Sequence, residues 1–254
     1  MTELHDRSEH GTSRPVMLVT GGSRGIGAAI CRLAASAGYT VVVNYAASAD
    51  VATALANEIG NDSIAVRADV GDESAVMAMF TEIAERFGRI DVLVNNAGIA
   101  GSYGTLDSYT VEALERLWAV NLTGPFVCAR EAVKRMRADG CGGSIVNISS
   151  KAAVLGGSNE WVHYAASKGG IDTMTTGFAK ELAPYGIRVN GVRPGLIESD
   201  FHLHATPGRV ERMTPLIPMQ RAGTSDEVAE AVLWLASPAA SYVTGAFIEV
   251  TGGR

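Results

Sequence analysis

A doubly wound α/β fold, with seven parallel strands in one sheet and helices on both faces, is predicted by three observations. Short apolar, β-branched runs alternate with helical patterns from Val16 to Val250, the signature of parallel strands joined by crossover helices. A glycine-rich turn, Thr20-Gly21-Gly22-Ser23-Arg24-Gly25-Ile26-Gly27, separates the first apolar run from the first helical pattern. The alternation never breaks, so the 254 residues read as one large domain rather than two.

The strands are expected at Val16 to Thr20, Thr40 to Asn44, Ile64 to Ala68, Ile90 to Asn95, Ser144 to Ser149, Arg188 to Arg193 and Ala246 to Val250. The helix after the glycine turn is marked by Ala28, Ile30, Leu33 and Ala34. Long helices are expected near Thr110 to Arg137 and from Tyr164 to Ala183, the first disturbed by Gly124-Pro125, since proline cannot donate to the helical ladder. Met1 to Arg14 has almost nothing to bury and is expected to be a disordered tail, leaving 15–254 as the folded domain.

Composition narrows the function. Hydrophobic residues make up 47% of the chain, ample for a core, and the net charge of -6 without a basic run argues against nucleic acid as a partner. There is no apolar run of membrane-spanning length, and the polar N-terminus lacks the apolar core of a signal peptide. A cytoplasmic protein is the expectation. Cys31, Cys128 and Cys141 are widely separated and odd in number, so buried or free thiols are expected rather than disulfides or metal ligands. His202 and His204 lack a third ligand at suitable spacing, so no metal site is expected.

The chemistry is concentrated in four places. Tyr164 and Lys168 stand four residues apart at a helix start, hence on one helical face, where an ammonium favours the phenolate form of its neighbour. The glycine turn lies between strand and helix, so its backbone can approach a pyrophosphate and the helix N-terminus can bind the charge. Asn95-Asn96-Ala97-Gly98 follows the fourth strand, and Ser150 follows the fifth, fourteen residues before Tyr164. All four lie at carboxyl ends of strands or on the element that follows, where such sheets bind ligands. His163 points about 100° away from the Tyr164 and Lys168 face, so a rim contact is expected for it rather than catalysis.

Together these motifs resemble the short-chain dehydrogenase/reductase family in its single-domain branch, from about Val16 to the end of the chain. The stretches Ser158 to Trp161 and Ile217 to Arg221 are similar to bacterial oxidoreductases of the glucose 1-dehydrogenase-like and 3-oxoacyl-(acyl carrier protein) reductase-like groups. The resemblance implies a Rossmann fold that binds NAD(P) and a catalytic tetrad of Asn121, Ser150, Tyr164 and Lys168. It implies reversible hydride transfer between nicotinamide and a carbonyl or secondary alcohol, with Tyr164 as general acid and base and Ser150 bonding the substrate oxygen. Ser149 competes with Ser150 for that role, and spacing favours Ser150. Lys168 would also bond the nicotinamide ribose, and the Asn121 carbonyl would hold a water that relays protons to it.

For the cofactor, Gly21, Ser23, Arg24, Gly25, Ile26 and Gly27 would surround the phosphates, and Asn44 and Tyr45 would border the adenosine ribose. Asp69 and Val70 would meet the adenine, although Asp69 reads equally as an N-cap for the helix starting near Asp72. Asn95, Ala97 and Gly98 would line the ribose, and Pro194, Gly195 and Ile197 the nicotinamide. The second strand ends without the carboxylate that grips a 2'-hydroxyl, and the Arg24 guanidinium could pair with a 2'-phosphate. NADP(H) is therefore the expected cofactor, with NAD(H) an alternative. The resemblance further implies a substrate lid at about 198–221 and a homotetramer, the latter also suggested by an uncovered last strand bearing only the charge of Glu249. Rival readings are an epimerase or dehydratase, disfavoured for want of a substrate domain, and a non-catalytic NADP-sensing regulator, disfavoured because Tyr164 and Lys168 are both present.

Overall fold

All seven expected strands form in the computed structural model, which describes residues 14–138, 140–198 and 208–254. They are β1 (Val16–Val19), β2 (Thr40–Tyr45), β3 (Ile64–Arg67), β4 (Val92–Asn95), β5 (Gly143–Ile148), β6 (Ile187–Pro194) and β7 (Phe247–Val250). Every pairing is parallel, and the order is β3-β2-β1-β4-β5-β6-β7. Chain progression reverses between β1 and β4, and a crevice opens there at the carboxyl ends.

Successive side chains of a strand enter opposite faces, and for the central strand β1 both faces are buried. Met17 and Val19 of β1 join a core with α1 (Gly25–Ser36), α2 (Ala49–Ile59) and α9 (Ser225–Ala236). Val16 and Leu18 join a second core with α3 (Glu73–Phe87), α5 (Gly124–Ala138) and α7 (Val162–Leu182). Burial on both faces explains why these strands read as unbroken apolar runs instead of alternating ones.

Helix ends follow local chemistry. The Asp72 carboxylate accepts from the amides of Ser74 and Ala75 and caps α3, so the cap is Asp72 and not Asp69. Thr224 and Glu227 form a reciprocal capping box on α9. The N-terminus of α1 has no side-chain cap and no acid in its first turn. Its positive end is thus left facing the crevice.

The long pattern beginning near Thr110 is broken where Gly124-Pro125 lies. α4 (Val111–Trp118) passes through a π-helical turn, Ala119–Thr123, into α5. Pro125 has no N–H, so the carbonyl of Asn121, four residues earlier, has no α-helical donor, and the extra residue in the turn accommodates the mismatch.

The expected tail and lid fall partly outside the described residues. Residues 1–13 and 199–207, including His202 and His204, are among those not described. From the expected lid, α8 (Arg209–Met213) and a 3₁₀ turn, Thr214–Leu216, are described, and Ile217 packs on Leu196 and Ala222 beneath them. No helix is long and apolar enough to cross a membrane, and no group of three or more metal-ligating side chains occurs among the described residues.

Candidate active site

The glycine turn is held from both flanks. Thr20 Oγ accepts from the amides of Asn96 (3.0 Å) and Ala97 (3.1 Å), and the Asn96 amide donates to the carbonyls of Thr20 and Gly21. Asn44 Oδ1 accepts from Gly21 N at 3.1 Å, while its amide donates to the carbonyls of Val66 and Ala68. Gly21 has φ +60°, and a Cβ there would lie 2.9 Å from the Ala97 backbone; one on Gly27 would lie 2.3 Å from the Gly21 carbonyl. No side chain fits either position.

Below this turn opens a cleft of about 1090 Å³. Gly21, Arg24, Gly25, Ile26 and Gly27 border one end, with Asn44, Asp69 and Val70 beside them. Ala97 and Gly98 border its middle; Ser150, Tyr164, Lys168, Pro194, Gly195 and Ile197 border the other end. A dinucleotide fits this wall. The uncapped, acid-free start of α1 suits a pyrophosphate, and the crowding at Gly21 and Gly27 keeps the backbone bare where phosphates would approach.

Three residues expected at the cofactor do not border the cleft. Asn95 is buried at the end of β4 and donates to Asn147 Oδ1 (2.9 Å) and the Pro125 carbonyl (3.3 Å); Asn96 borders the cleft instead. Tyr45 packs with the core containing Val41 and Val43, because alternation along β2 sends it away from Asn44. Ser23 does not border the cleft, whereas Arg24, its neighbour at the crest of the turn, does. Asp69 does border it, but its carboxylate accepts from Gly71 N (2.9 Å) and from Arg116 (2.8 Å). Burial would raise this carboxyl, yet those two donors hold it below the usual range.

At the far end, Ser150 and Tyr164 both border the cleft, and Ser150 Oγ accepts from Ala152 N at 3.1 Å. Ser149 also borders the cleft, but it is buried and its hydroxyl donates to the Lys168 carbonyl at 3.3 Å, which leaves Ser150 as the better placed of the two. The Lys168 ammonium donates to the Ile148 carbonyl at 2.7 Å and lies 5.8 Å from the Tyr164 ring centre. Asn121 is fully buried. Its side chain is clamped to Ile99, accepting from N and donating to O at 2.8 Å each, and also donates to Ser167 Oγ. A probe atom at the Cβ position of Gly98 would lie 3.4 Å from Asn121 Oδ1 and 3.5 Å from Lys168 Nζ.

Burial dominates the titration of this pair. It pushes Tyr164 up to about 12, against the Ser150 hydrogen bond and the charge of Arg209. It pushes Lys168 down to about 8, against the charge of Asp172. Burial thus outweighs both influences that lower the phenol.

His163, expected at the rim, is instead buried and stacked on Tyr109 with ring centres 4.0 Å apart. It backs onto Gly101, where an added Cβ would fall 2.4 Å from its Nε2. Helical geometry gave its direction correctly, but not the loop that covers it. Trp161, Tyr103 and Arg209 also border the cleft and were not anticipated: Tyr103 meets Trp161 edge-on, and Arg209 lies over the Trp161 ring while pairing with Glu160 at 2.9 Å. Their loops converge only in three dimensions, and no local spacing in the sequence announces them.

Residues 21–254 match the family model described as Enoyl-(Acyl carrier protein) reductase. The chain is 50% identical to "Uncharacterized oxidoreductase YgfF" of Escherichia coli (strain K12), over 94% of this chain and 99% of that protein. It is 41% identical to the 3-oxoacyl-[acyl-carrier-protein] reductase FabG of Staphylococcus aureus (strain N315), covering 93% and 96% respectively. Identity is also 41% to a cis-4-hydroxycyclohexanecarboxylate dehydrogenase of Sinomonas cyclohexanicum, covering 94% and 95%.

Proposed function

Since the chain belongs to the short-chain dehydrogenase/reductase family, oxidoreductases acting on CH–OH groups and carbonyls with nicotinamide cofactors, we propose that it is an NADP(H)-dependent carbonyl reductase or alcohol dehydrogenase with Tyr164 as general acid and base. The observation that carries this reading is that Ser150, Tyr164 and, one helical turn on, Lys168 border the same cleft as the glycine turn.

When bound, the nicotinamide supplies a hydride to the carbonyl carbon or takes one from the alcohol. Tyr164, protonated through neutral pH, donates its proton to the carbonyl oxygen as negative charge develops there. Ser150, held by the Ala152 amide, presents its hydroxyl to the same oxygen. Lys168 is anchored by one hydrogen to Ile148 O, leaving two for the ribose hydroxyls of the cofactor. Asn121 stands behind Lys168 on the π-helical turn, where a water bonded to its carbonyl would pass protons onward. In oxidation Tyr164 acts as the base.

Arg24 at the crest of the turn, and an amide rather than a carboxylate at Asn44, support NADP(H) over NAD(H). The aromatic wall of Tyr103 and Trp161, with Leu155, Met213 and Leu216, supports a substrate whose body is apolar. FabG-like acyl thioesters and cyclic ketones related to the Sinomonas substrate are the first compounds to try. Assembly is proposed as a cytoplasmic homotetramer. The edge strand β7 is only partly covered, and Trp234, Tyr242 and Phe126 are exposed on nearby and helical surfaces.

The experiment is a screen of ketones, acyl thioesters, sugars and steroids, monitored by absorbance of the reduced nicotinamide. Turnover of none with either cofactor would sink the enzymatic reading and favour the sensing alternative. Light scattering should give a mass near four times 26.5 kDa.

A further inference from the structure

Six cationic side chains border the cleft, Arg24, Arg116, Lys151, Lys168, Arg209 and Arg254, against two acids, Asp69 and Glu160. Both acids are taken: Asp69 pairs with Arg116 at 2.8 Å and Glu160 with Arg209 at 2.9 Å. Lys151 pairs with Glu249 of β7 at 2.7 Å, and the Lys168 ammonium donates to the Ile148 carbonyl. Arg24, at the crest of the glycine turn, has the proposed 2'-phosphate. Arg254 is left, half-buried in the cleft wall, with no ion-pair partner among the described residues.

Its place is set by the segment that follows Leu216. The Gly252 carbonyl accepts from Met219 N at 3.1 Å, and the Arg254 amide closes the turn on the Thr251 carbonyl at 3.4 Å. A Cβ on Gly252 would fall 2.7 Å from Ile217 Cγ2, and one on Gly253 3.1 Å from Pro218 Cγ. Both glycines have positive φ, +65° and +93°, a path that other residues rarely take. On its other side Thr251 lies against Gly195, where an added Cβ would meet the Thr251 Cα at 2.9 Å. The turn is thus wedged between Gly195 and Ile217 to Met219, and Arg254 enters the cleft from the side of Leu216, far from the glycine turn and Arg24.

A guanidinium stays charged at any working pH and recognises a carboxylate or phosphate through paired hydrogen bonds. We infer that Arg254 determines specificity by binding an anionic group of the substrate. The cleft then takes an apolar oxo or hydroxy compound that bears a carboxylate or a phosphate, its carbonyl at Ser150 and Tyr164 and its body along Leu155, Met213 and Leu216. The inference rests on the carbonyl chemistry proposed for the same cleft, and the test separates the two.

Two matched pairs of probes read the anion and tell its sources apart. 4-Oxocyclohexanecarboxylate and its methyl ester ask for a carboxylate; the acetoacetyl thioesters of phosphopantetheine and pantetheine ask for a phosphate. With NADPH, wild type should show the higher kcat/KM for the charged member of at least one pair, and the pair that responds names the group. Arg254→Gln should lower that charged-to-neutral ratio about tenfold to a hundredfold, the range of a lost hydrogen bond to a charged group. Arg254→Lys should keep part of the ratio, and Arg254→Glu should reverse it. Equal kcat/KM for charged and neutral members in wild type would overturn the inference. So would a loss in Arg254→Gln shared equally by both members, or one expressed wholly in the KM for NADPH. If no carbonyl compound is turned over, the proposed reaction fails by itself, and calorimetric titration decides the inference, with cyclohexanecarboxylate against its methyl ester and phosphopantetheine against pantetheine. Tighter binding of a charged member that Arg254→Gln removes would support it, and equal affinities within both pairs would overturn it.

Discussion

Asn44 accepts a hydrogen bond from the Gly21 amide at 3.1 Å, tying the end of the second strand to the glycine turn. An amide does this work where a carboxylate would have repelled a phosphorylated ribose, and Arg24 stands exposed on the same turn. Arg24→Ala should therefore raise the KM for NADPH far more than that for NADH. The loss should correspond to about 1.5–3 kcal/mol, the range of a hydrogen bond to a charged group. Steady-state kinetics with both cofactors checks this, and a wild type that already prefers NADH would contradict it.

Tyr164→Phe removes the transferable proton and leaves the cleft wall in place. Turnover should fall by about two to four decades while NADPH still binds, as read by fluorescence titration. A variant keeping half the wild-type rate would remove Tyr164 from the mechanism.

Lys168 gives a pH signature in stability. Its folded value near 8 lies below the ordinary 10.5, so between these pH values the unfolded chain binds more protons and stability gained from this group rises with pH. Lys168→Met abolishes that slope. From pH 7 to pH 10, wild type should gain, relative to the variant, roughly 2–3 kcal/mol. Urea denaturation of both proteins at the two pH values measures it; parallel pH dependences would show that Lys168 is not depressed.

The three thiols should divide cleanly. Cys31 and Cys128 are buried, and burial pushes both up to about 12, whereas Cys141 is exposed. A disulfide reagent at pH 8 should titrate one thiol in the native protein and three in denaturant.

The strands and the chemistry-bearing residues were legible because their signals are local. Apolar runs buried on two faces mark the sheet, and the spacing from Tyr164 to Lys168 is set by one helical turn. What escaped depends on which face a residue presents after packing. Asn95 and Asn96 are neighbours of the same type, and only the end of β4 decides that the first turns inward to Asn147 while the second holds the glycine turn. Tyr45 was lost by the same one-residue alternation. His163 and Arg209 acquire their surroundings from the Gly101 loop and from α8, both distant in sequence.

The π-helical turn at Ala119–Thr123 makes the length of its segment non-negotiable. Deleting one residue there would let the backbone return to α-helical register and swing everything on one side by about 100° relative to the other. Either Leu117 would leave the core or Cys128 and Ala132 would, and Asn121 would lose its two-way grip on Ile99. Substitutions can drift along this helix, but insertions and deletions have no foothold in it.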